Sequence, residues 1–280
     1  MCRNVLFDLK LLPAKKFDGM AVISVGNVTV GGTGKTPMSE YLIDRYLRMG
    51  YRVAYLSRGY KRSMKGFVEV DPSEHTVHDV GDEALQVAAK FPDARVAVCE
   101  SRVKGVRSLE TTGEVDVLIL DDAMQHRWIL RDLNLCMMDA MRPPWKDWTL
   151  PVGRLREPLW MVKRRTDFYV FTRYPVSARK RSFLKRIDPA KIAYSRMKAV
   201  DLKLGWGNGP PLTTEDLVAR PLVVFAGLGN NLQFSHFLQA HGAYVKRFYN
   251  FKDHHVYSTD NIEMIVKRYR KEKRKELYKI

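Results

Sequence analysis

The stretch SVGNVTVGGTGKTP, residues 24 to 37, constrains this chain more than any other. It continues the apolar run MAVISVG (20–26), which reads as a short buried strand, and Thr36-Pro37 can open a helix with proline at its first position. A glycine-rich turn between strand and helix lets backbone N–H groups close around phosphate oxygens, and the helix N-terminus adds positive potential. A strict phosphate loop reads G-x-x-x-x-G-K-[ST], and here Thr29 fills the first glycine slot. Gly31, Gly32 and Gly34 still allow the close backbone approach. Lys35 would reach the β- and γ-phosphates, and the Thr36 hydroxyl would bind Mg²⁺. A plain turn joining strand to helix would leave the Lys-Thr pair without a packing role.

The rest of the chain repeats the alternation. A helix is expected to about Met49, with Leu42, Tyr46 and Met49 on one face and Gly50 as its stop signal. Strands are expected at YRVAYLS (51–57), ARVAVC (94–99), VDVLILDD (115–122), NLCMMD (134–139) and DFYVFT (167–172), with a helix from about Asp82 to Lys90. Strands that are apolar throughout and alternate with helices predict a parallel sheet covered on both faces. MRPPWKDWTLPVGRLREPLW reads as a packed functional loop more than a linker. The Gly- and Pro-rich GWGNGPPLTTED (205–216) reads as a domain boundary. Beyond it, PLVVFAGLGN, NLQFSHFLQAHG and AYVKRFYN give a strand, a helix and a strand. The expected fold is therefore α/β: a P-loop NTPase-like parallel sheet with helices on both faces over residues 1–204, plus a second, smaller α/β lobe over 216–280.

Charge narrows the partners. The chain carries 48 Lys+Arg against 31 Asp+Glu, a formal net charge of +17. Such an excess attracts polyanions: nucleic acid, an anionic bilayer or a phosphorylated substrate. No basic-aromatic nucleic-acid module is present, so nucleic acid is not expected as a partner. Cys2, Cys99 and Cys136 show no metal-type spacing, which suits a reducing compartment without a disulfide framework. No stretch approaches the roughly 20 apolar residues a spanning helix needs. VLFDLKLL is interrupted by Asp8 and Lys10 and is too short and too charged for a signal peptide. A cytosolic chain able to lie against a membrane is expected.

Two carboxylate signals accompany the loop. LILDD (118–122) is an apolar strand ending in Asp121 and Asp122, where a nucleotide-binding sheet places its Mg²⁺-side aspartate. In an extended strand the two side chains point oppositely, so one of them is expected beside the metal. Phosphoryl transfer to an alcohol also needs a proton acceptor. Asp82, after Gly81 at a helix start, fits that role and equally fits a helix cap. KDHH (252–255) offers His254 and His255 as a partner, or a surface turn.

Together these residues resemble the tetraacyldisaccharide 4′-kinase family of lipid A biosynthesis. The resemblance runs in order through RNVLFD (3–8), SVGNVTVGGTGKTP, LSRGY (56–60), GDE (81–83), LDDAMQHR (120–127), LPVGRLREP (150–158), FAGLGN (225–230) and FKDHH (251–255). It also explains Thr29, because the family's loop is similar to GN-x-x-x-GGTGKTP. The resemblance implies an ATP- and Mg²⁺-dependent kinase, peripheral at the cytoplasmic face of the inner membrane, that phosphorylates the 4′-hydroxyl of a lipid A disaccharide precursor. No obligate protein partner is expected. It implies that Thr29, Val30, Gly31, Gly32, Thr33, Gly34, Lys35 and Thr36 wrap the ATP phosphates, with Thr36, Asp121 and Asp122 on the metal side. Asp82 would be the base and His254 its orienting partner. Arg58, Gln125, His126 and Glu157 would lie at the substrate cleft. Ala123 and Met124 replace the family's Gly-Phe, and alanine resists a left-handed backbone there. The resemblance further implies a longer apolar N-terminal helix in relatives and an incomplete second lobe here, ending before a Thr-Glu-Lys-Asp-type segment.

Two features remain. Lys267 to Ile280 holds eight Lys/Arg and two Glu, a net +6. Ile262, Ile265, Val266 and Tyr269 give the preceding turns an apolar face, so a basic amphipathic helix could rest on anionic phospholipid or pack on its own lobe. The alternative function is a membrane-associated, partitioning-type P-loop switch ATPase, whose loop resembles K-G-G-x-G-K-[ST]. Val30 stands where that family places its signature lysine, which counts against it.

Overall fold

The computed structural model describes residues 2–9, 11–173, 187–196, 213, 215–218, 221–228, 231–252 and 255–277. Cα proximity groups the chain into two compact units, Met1–Met197 and Lys198–Ile280.

The first unit opens with helix α1 (Cys2–Asp8) and strand β1 (Ala21–Asn27), followed by the glycine loop and helix α2 (Lys35–Arg48). Then come β2 (Val53–Ser57), the short β3 (Val68–Glu69), α3 (Val77–Val80), α4 (Asp82–Lys90), β4 (Arg95–Val98), α5 (Arg102–Thr112) and β5 (Val117–Asp121). The crossover from β5 to β6 (Leu133–Asp139) contains no helix. Helix α6 (Leu159–Lys163) precedes β7 (Phe168–Thr172), and β8 (Ile192–Tyr194) completes the unit.

The strands form one eight-stranded sheet in the order β3-β4-β2-β5-β1-β6-β7-β8. Every neighbouring pair is parallel except β3 with β4. The expectation of a parallel sheet covered on both faces is met, and the side-chain alternation of its strands explains why. Ile23, Val25, Tyr55 and Ile119 face one way and pack with Ile43 of α2 and Ala84 and Val87 of α4. Val22, Ala54, Leu56, Leu118 and Leu120 face the other way and pack with Val106 and Leu109 of α5. Both sets are apolar, so these strands read as continuous hydrophobic runs.

Parallel strands send their C-terminal ends to one edge, where open α/β sheets bind ligands. Asn27, Ser57, Asp121, Asp139 and Thr172 all lie there. Gly50, at φ 83°, stops α2 as the sequence predicts. Cys99 and Cys136 are free and buried.

In the second unit, β9 (Pro221–Ala226), α7 (Asn231–Ala240) and β10 (Tyr244–Asn250) make a parallel βαβ crossover around Val224, Leu238 and Ala243. Helix α8 (Thr259–Leu277) packs on β9 and buries Ile265, with Ile262 and Val266 half-buried, whereas Tyr269 of the expected apolar face is exposed. Most of the expected boundary at 205–216 lies outside the described residues. Among the described residues no helix is long and apolar enough to cross a membrane.

Candidate active site

The glycine loop is shaped by its own backbone and by its two neighbours. Gly31 and Gly34 take φ of 102° and 84°, in the left-handed region that side-chain-bearing residues avoid. Gly34 is also the N-cap of α2. Asn27, at the end of β1, reaches back across the loop: its Nδ2 donates to Thr33 Oγ1 at 2.9 Å and to the Gly31 carbonyl at 3.3 Å. From β7, Thr172 Oγ1 donates to the Thr33 carbonyl at 3.1 Å and Arg173 Nη2 to the Gly32 carbonyl at 3.2 Å. Arg173 is itself held by Asp139 at 2.7 Å. Carbonyls 31 to 33 are thus each engaged by a side chain, which holds the shape of the loop.

The first part of the loop has a different task. Val30 N–H donates to the Arg154 carbonyl and Arg156 N–H to the Val28 carbonyl, at 2.9 and 2.7 Å. Thr29 forms an antiparallel bridge with Leu155. Of the eight residues expected to wrap phosphate, Thr29 and Val30 are thus built into a short pairing with 154–156, and the glycine-rich cradle begins at Gly31.

Lys35 opens α2, and its Nζ lies 3.7 Å from Asp122 Oδ1. The two carboxylates of LILDD part company as expected. Asp121 is fully buried at the end of β5, accepting from Ser39 Oγ at 3.2 Å and Tyr55 OH at 3.0 Å. Burial pushes its carboxyl up, while Lys35 and the two hydroxyls pull it back. Asp122 leaves the strand at φ 44° and turns to Lys35 and to Arg156, whose Nη1 donates at 2.8 and 3.0 Å. Burial alone would raise Asp122, but Lys35 and Arg156 outweigh it and hold the carboxyl below its ordinary range. The left-handed residue in this turn is therefore Asp122, and Ala123 needs no such conformation. Gly26 matters to the same turn, since a Cβ there would sit 2.7 Å from both the Met124 nitrogen and its Cβ.

Asp82 begins α4 and its carboxylate accepts from Glu83 N–H at 2.9 Å. The next side chain was not singled out from the sequence, although it stands in the GDE stretch. Thr36 Oγ1 donates to Glu83 Oε1 at 3.3 Å, which joins the N-termini of α2 and α4. Asp82 therefore lies at the same sheet edge as Lys35. Burial, then the neighbouring Asp121 charge, raises the Glu83 carboxyl, with Lys35 opposing.

Around the turn after Asp122, Gln125 Nε2 donates to the Asn27 carbonyl and to Glu157 Oε1, both at 2.9 Å. Glu157 is buried and also accepts from Asn4 of α1 at 2.9 Å and pairs with Arg165, so its carboxylate organises the turn from behind. His126 is half-buried in that turn, its N–H donating to the Ala123 carbonyl at 2.9 Å. Arg58 is exposed just past β2. Close by, Arg102 is buried and donates to the Asp121 carbonyl at 3.1 Å. Burial, and secondarily Arg58, pushes its guanidinium down to about 10.

Asp253 and His254 lie outside the described residues. His255 is engaged within its own unit: its Nε2 lies 2.8 Å from Asn261 Oδ1 and its ring stacks on Phe251 with centroids 4.5 Å apart.

A strand, a glycine-rich turn, a lysine on the helix and a strand-end aspartate facing it are an arrangement able to hold a nucleotide's phosphates; comparison with known proteins narrows the chemistry. The family described as tetraacyldisaccharide-1-P 4′-kinase matches residues 1–278. This chain belongs to that family. The tetraacyldisaccharide 4′-kinase of Phocaeicola vulgatus is 36% identical over 280 residues, covering 96% of this chain and 75% of that protein. The tetraacyldisaccharide 4′-kinase of Parabacteroides distasonis is 48% identical over 174 residues, covering 61% of this chain and 46% of that one. The crystal structure of LpxK from Aquifex aeolicus in complex with ATP superposes with a TM-score of 0.72 at 36% identity, over 92% of this chain and 78% of that one. Membership of the tetraacyldisaccharide 4′-kinase family sets the partitioning-type switch aside.

Mg²⁺ fits the donor set present. Thr36, Glu83, Asp121 and Asp122 are oxygen donors gathered near one ammonium, Lys35, and two of the carboxylates are already raised by burial. Among the described residues no three His, Cys, Asp or Glu side chains converge tightly enough to cage a metal by themselves. That suits a hard ion held through one or two carboxylates, water and substrate phosphate.

Proposed function

We propose that this chain transfers the γ-phosphate of ATP to the 4′-hydroxyl of a tetraacyldisaccharide 1-phosphate, and does so as a peripheral protein at the cytoplasmic face of the inner membrane. The observation that carries the reading is the single sheet edge on which the Gly31–Gly34 cradle, the Lys35–Asp122 pair and the Asp82–Glu83 helix start meet.

The amides of residues 31 to 36 and the positive end of α2 bind the β- and γ-phosphate oxygens. Lys35 stays with the transferred group as negative charge spreads over its oxygens. Thr36, Glu83 and Asp122 would hold Mg²⁺, which when bound neutralises phosphate charge. Asp121, fixed by Ser39 and Tyr55, supports this arrangement from below. Arg156 aims Asp122. Asp82 accepts the proton of the sugar hydroxyl as the oxygen attacks phosphorus and the β–γ bridging bond breaks, ADP carrying off the electron pair. Arg58, Gln125 and His126 face the acceptor, and the family resemblance gives His254 the part of orienting partner to Asp82. Neither nucleic acid nor an obligate protein partner enters this scheme. The +17 charge supports residence at an anionic surface.

The test is transfer of labelled γ-phosphate from ATP to a tetraacylated disaccharide 1-phosphate in detergent micelles. The reading requires Mg²⁺-dependent label at the 4′ position. ATP turnover indifferent to the acceptor would refute it.

A further inference from the structure

The segment Trp148–Leu155 is a tight, well-tied loop that closes on a parallel bridge between Thr149 and Leu155. Leu150 N–H donates to the Leu155 carbonyl at 2.8 Å, Leu155 N–H to the Trp148 carbonyl at 3.0 Å, and Val152 N–H to the Thr149 carbonyl at 3.1 Å. Gly153 is required at the turn, because a Cβ would fall 2.3 Å from the Trp148 carbonyl oxygen. At the root, Leu155 is buried in the core and Arg154 pairs with Asp147 at 2.5 Å.

This hydrogen-bonded loop turns apolar side chains outward. Trp148 is 73% exposed, Leu150 52% and Val152 80%. Nearby in sequence, Met141 and Trp160 are also exposed. Several large apolar side chains exposed on one short, hydrogen-bonded segment suit an interaction site. The charges around it choose the partner. Between residues 141 and 164 there are six Lys/Arg and two acidic residues. Arg142, Lys163 and Arg164 are exposed, whereas Asp147 is paired with Arg154 and Glu157 is buried. Apart from the neutral Thr149, the exposed side chains here are therefore apolar or cationic. Tryptophan with a basic rim is the composition that settles at the headgroup–acyl boundary of an anionic bilayer.

We propose that the Trp148–Val152 tip inserts into an anionic membrane surface and thereby sets the height of the phosphate loop above it. The coupling is short: the root of the loop bonds directly to Val28 and Val30, the residues that lead into the glycine-rich turn. This proposal rests on the reading that the acceptor is a lipid.

The test uses the full chain and acceptor-free vesicles of phosphatidylcholine, with and without phosphatidylglycerol. Val152→Asp and Trp148→Ser each reduce partition onto anionic vesicles by about tenfold, the scale of removing one large apolar side chain from the interface. Trp148→Phe keeps binding but removes a major share of the tryptophan quenching by brominated lipid. Both positions are exposed, so unchanged circular dichroism is expected in every variant. Transfer to micelle-dispersed acceptor stays within twofold of the parent in Val152→Asp. Unchanged partition in both Val152→Asp and Trp148→Ser overturns the proposal, as does quenching indifferent to Trp148→Phe. A chain that is dimeric until Val152→Asp separates it also overturns it, since a second copy then covers the tip. Loss of transfer in the parent chain with normal vesicle binding would sink the kinase reading alone.

Discussion

At the residue scale, the site is a set of charges whose roles follow from their neighbours. The Lys35 ammonium faces Asp122 and acts on the Asp121 and Glu83 carboxylates behind it, so Lys35→Ala should lower kcat/KM for ATP about a thousandfold. Melting temperature checks that the fold survives. Arg173 acts differently. It bridges Asp139 and the Gly32 carbonyl and touches no reacting atom, so it positions the loop. A hydrogen bond to a charged group contributes about 1.5–3 kcal/mol, so Arg173→Ala should raise the ATP KM roughly tenfold or more and leave kcat nearly unchanged. An equal fall in kcat would contradict a positioning role. Glu83 shows how part of the site was hidden from the sequence. GDE stood out, but the conversion of Glu83 into a partner of Thr36 depends on Gly81 at φ 91° separating α3 from α4. Tyr55 and Ser39 gave no signal at all, being 66 and 82 residues from Asp121 in sequence.

Elements were more legible than contacts. The strands were found because both faces of the sheet are apolar, and α2 because its stop glycine and loop are local signals. The two-residue β3, the short α3 and the crossover after β5 carry no periodic pattern, and only tertiary packing defines them. The end of β5 and its following turn act as one element with β1, packed over Gly26. Gly26→Ala would press a methyl group into Met124 and displace the Asp122 turn. Overpacking of this kind costs about 1–3 kcal/mol, read as a lowered melting temperature together with weaker Mg²⁺-dependent ATP binding. The opposite edge of the sheet offers a pH test. Hydrogen bonds from Arg52 hold the Asp116 carboxyl down to about 2 from an ordinary 3.8. A depressed folded-state pKa gives stability that is complete above the unfolded value and disappears as pH falls through the folded one. Asp116→Asn should therefore flatten acid unfolding between about pH 4 and pH 2 and leave its slope near pH 7 unaltered; a steeper acid transition would contradict the assignment.

For the whole molecule, one sheet edge carries the glycine-rich turn, the carboxylates of Asp121, Asp122 and Glu83, and Asp82, while the Trp148 loop roots in the same turn. The family's name could be read from the ordered motifs because each is a local backbone device. Which histidine of FKDHH the family resemblance points to could not be read from the residues alone, because the two are adjacent and equivalent in sequence. His255 is now engaged by Asn261 and Phe251, so His254→Ala should impair turnover more than His255→Ala. The central claim is that Asp82 does chemistry on a nucleotide it does not hold. Equilibrium ATP binding and single-turnover transfer, measured on the same Asp82→Ala sample, test it most directly. ATP affinity should stay within about twofold while the transfer rate falls by about 10²–10⁴. A transfer rate equal to that of the parent chain would contradict the account.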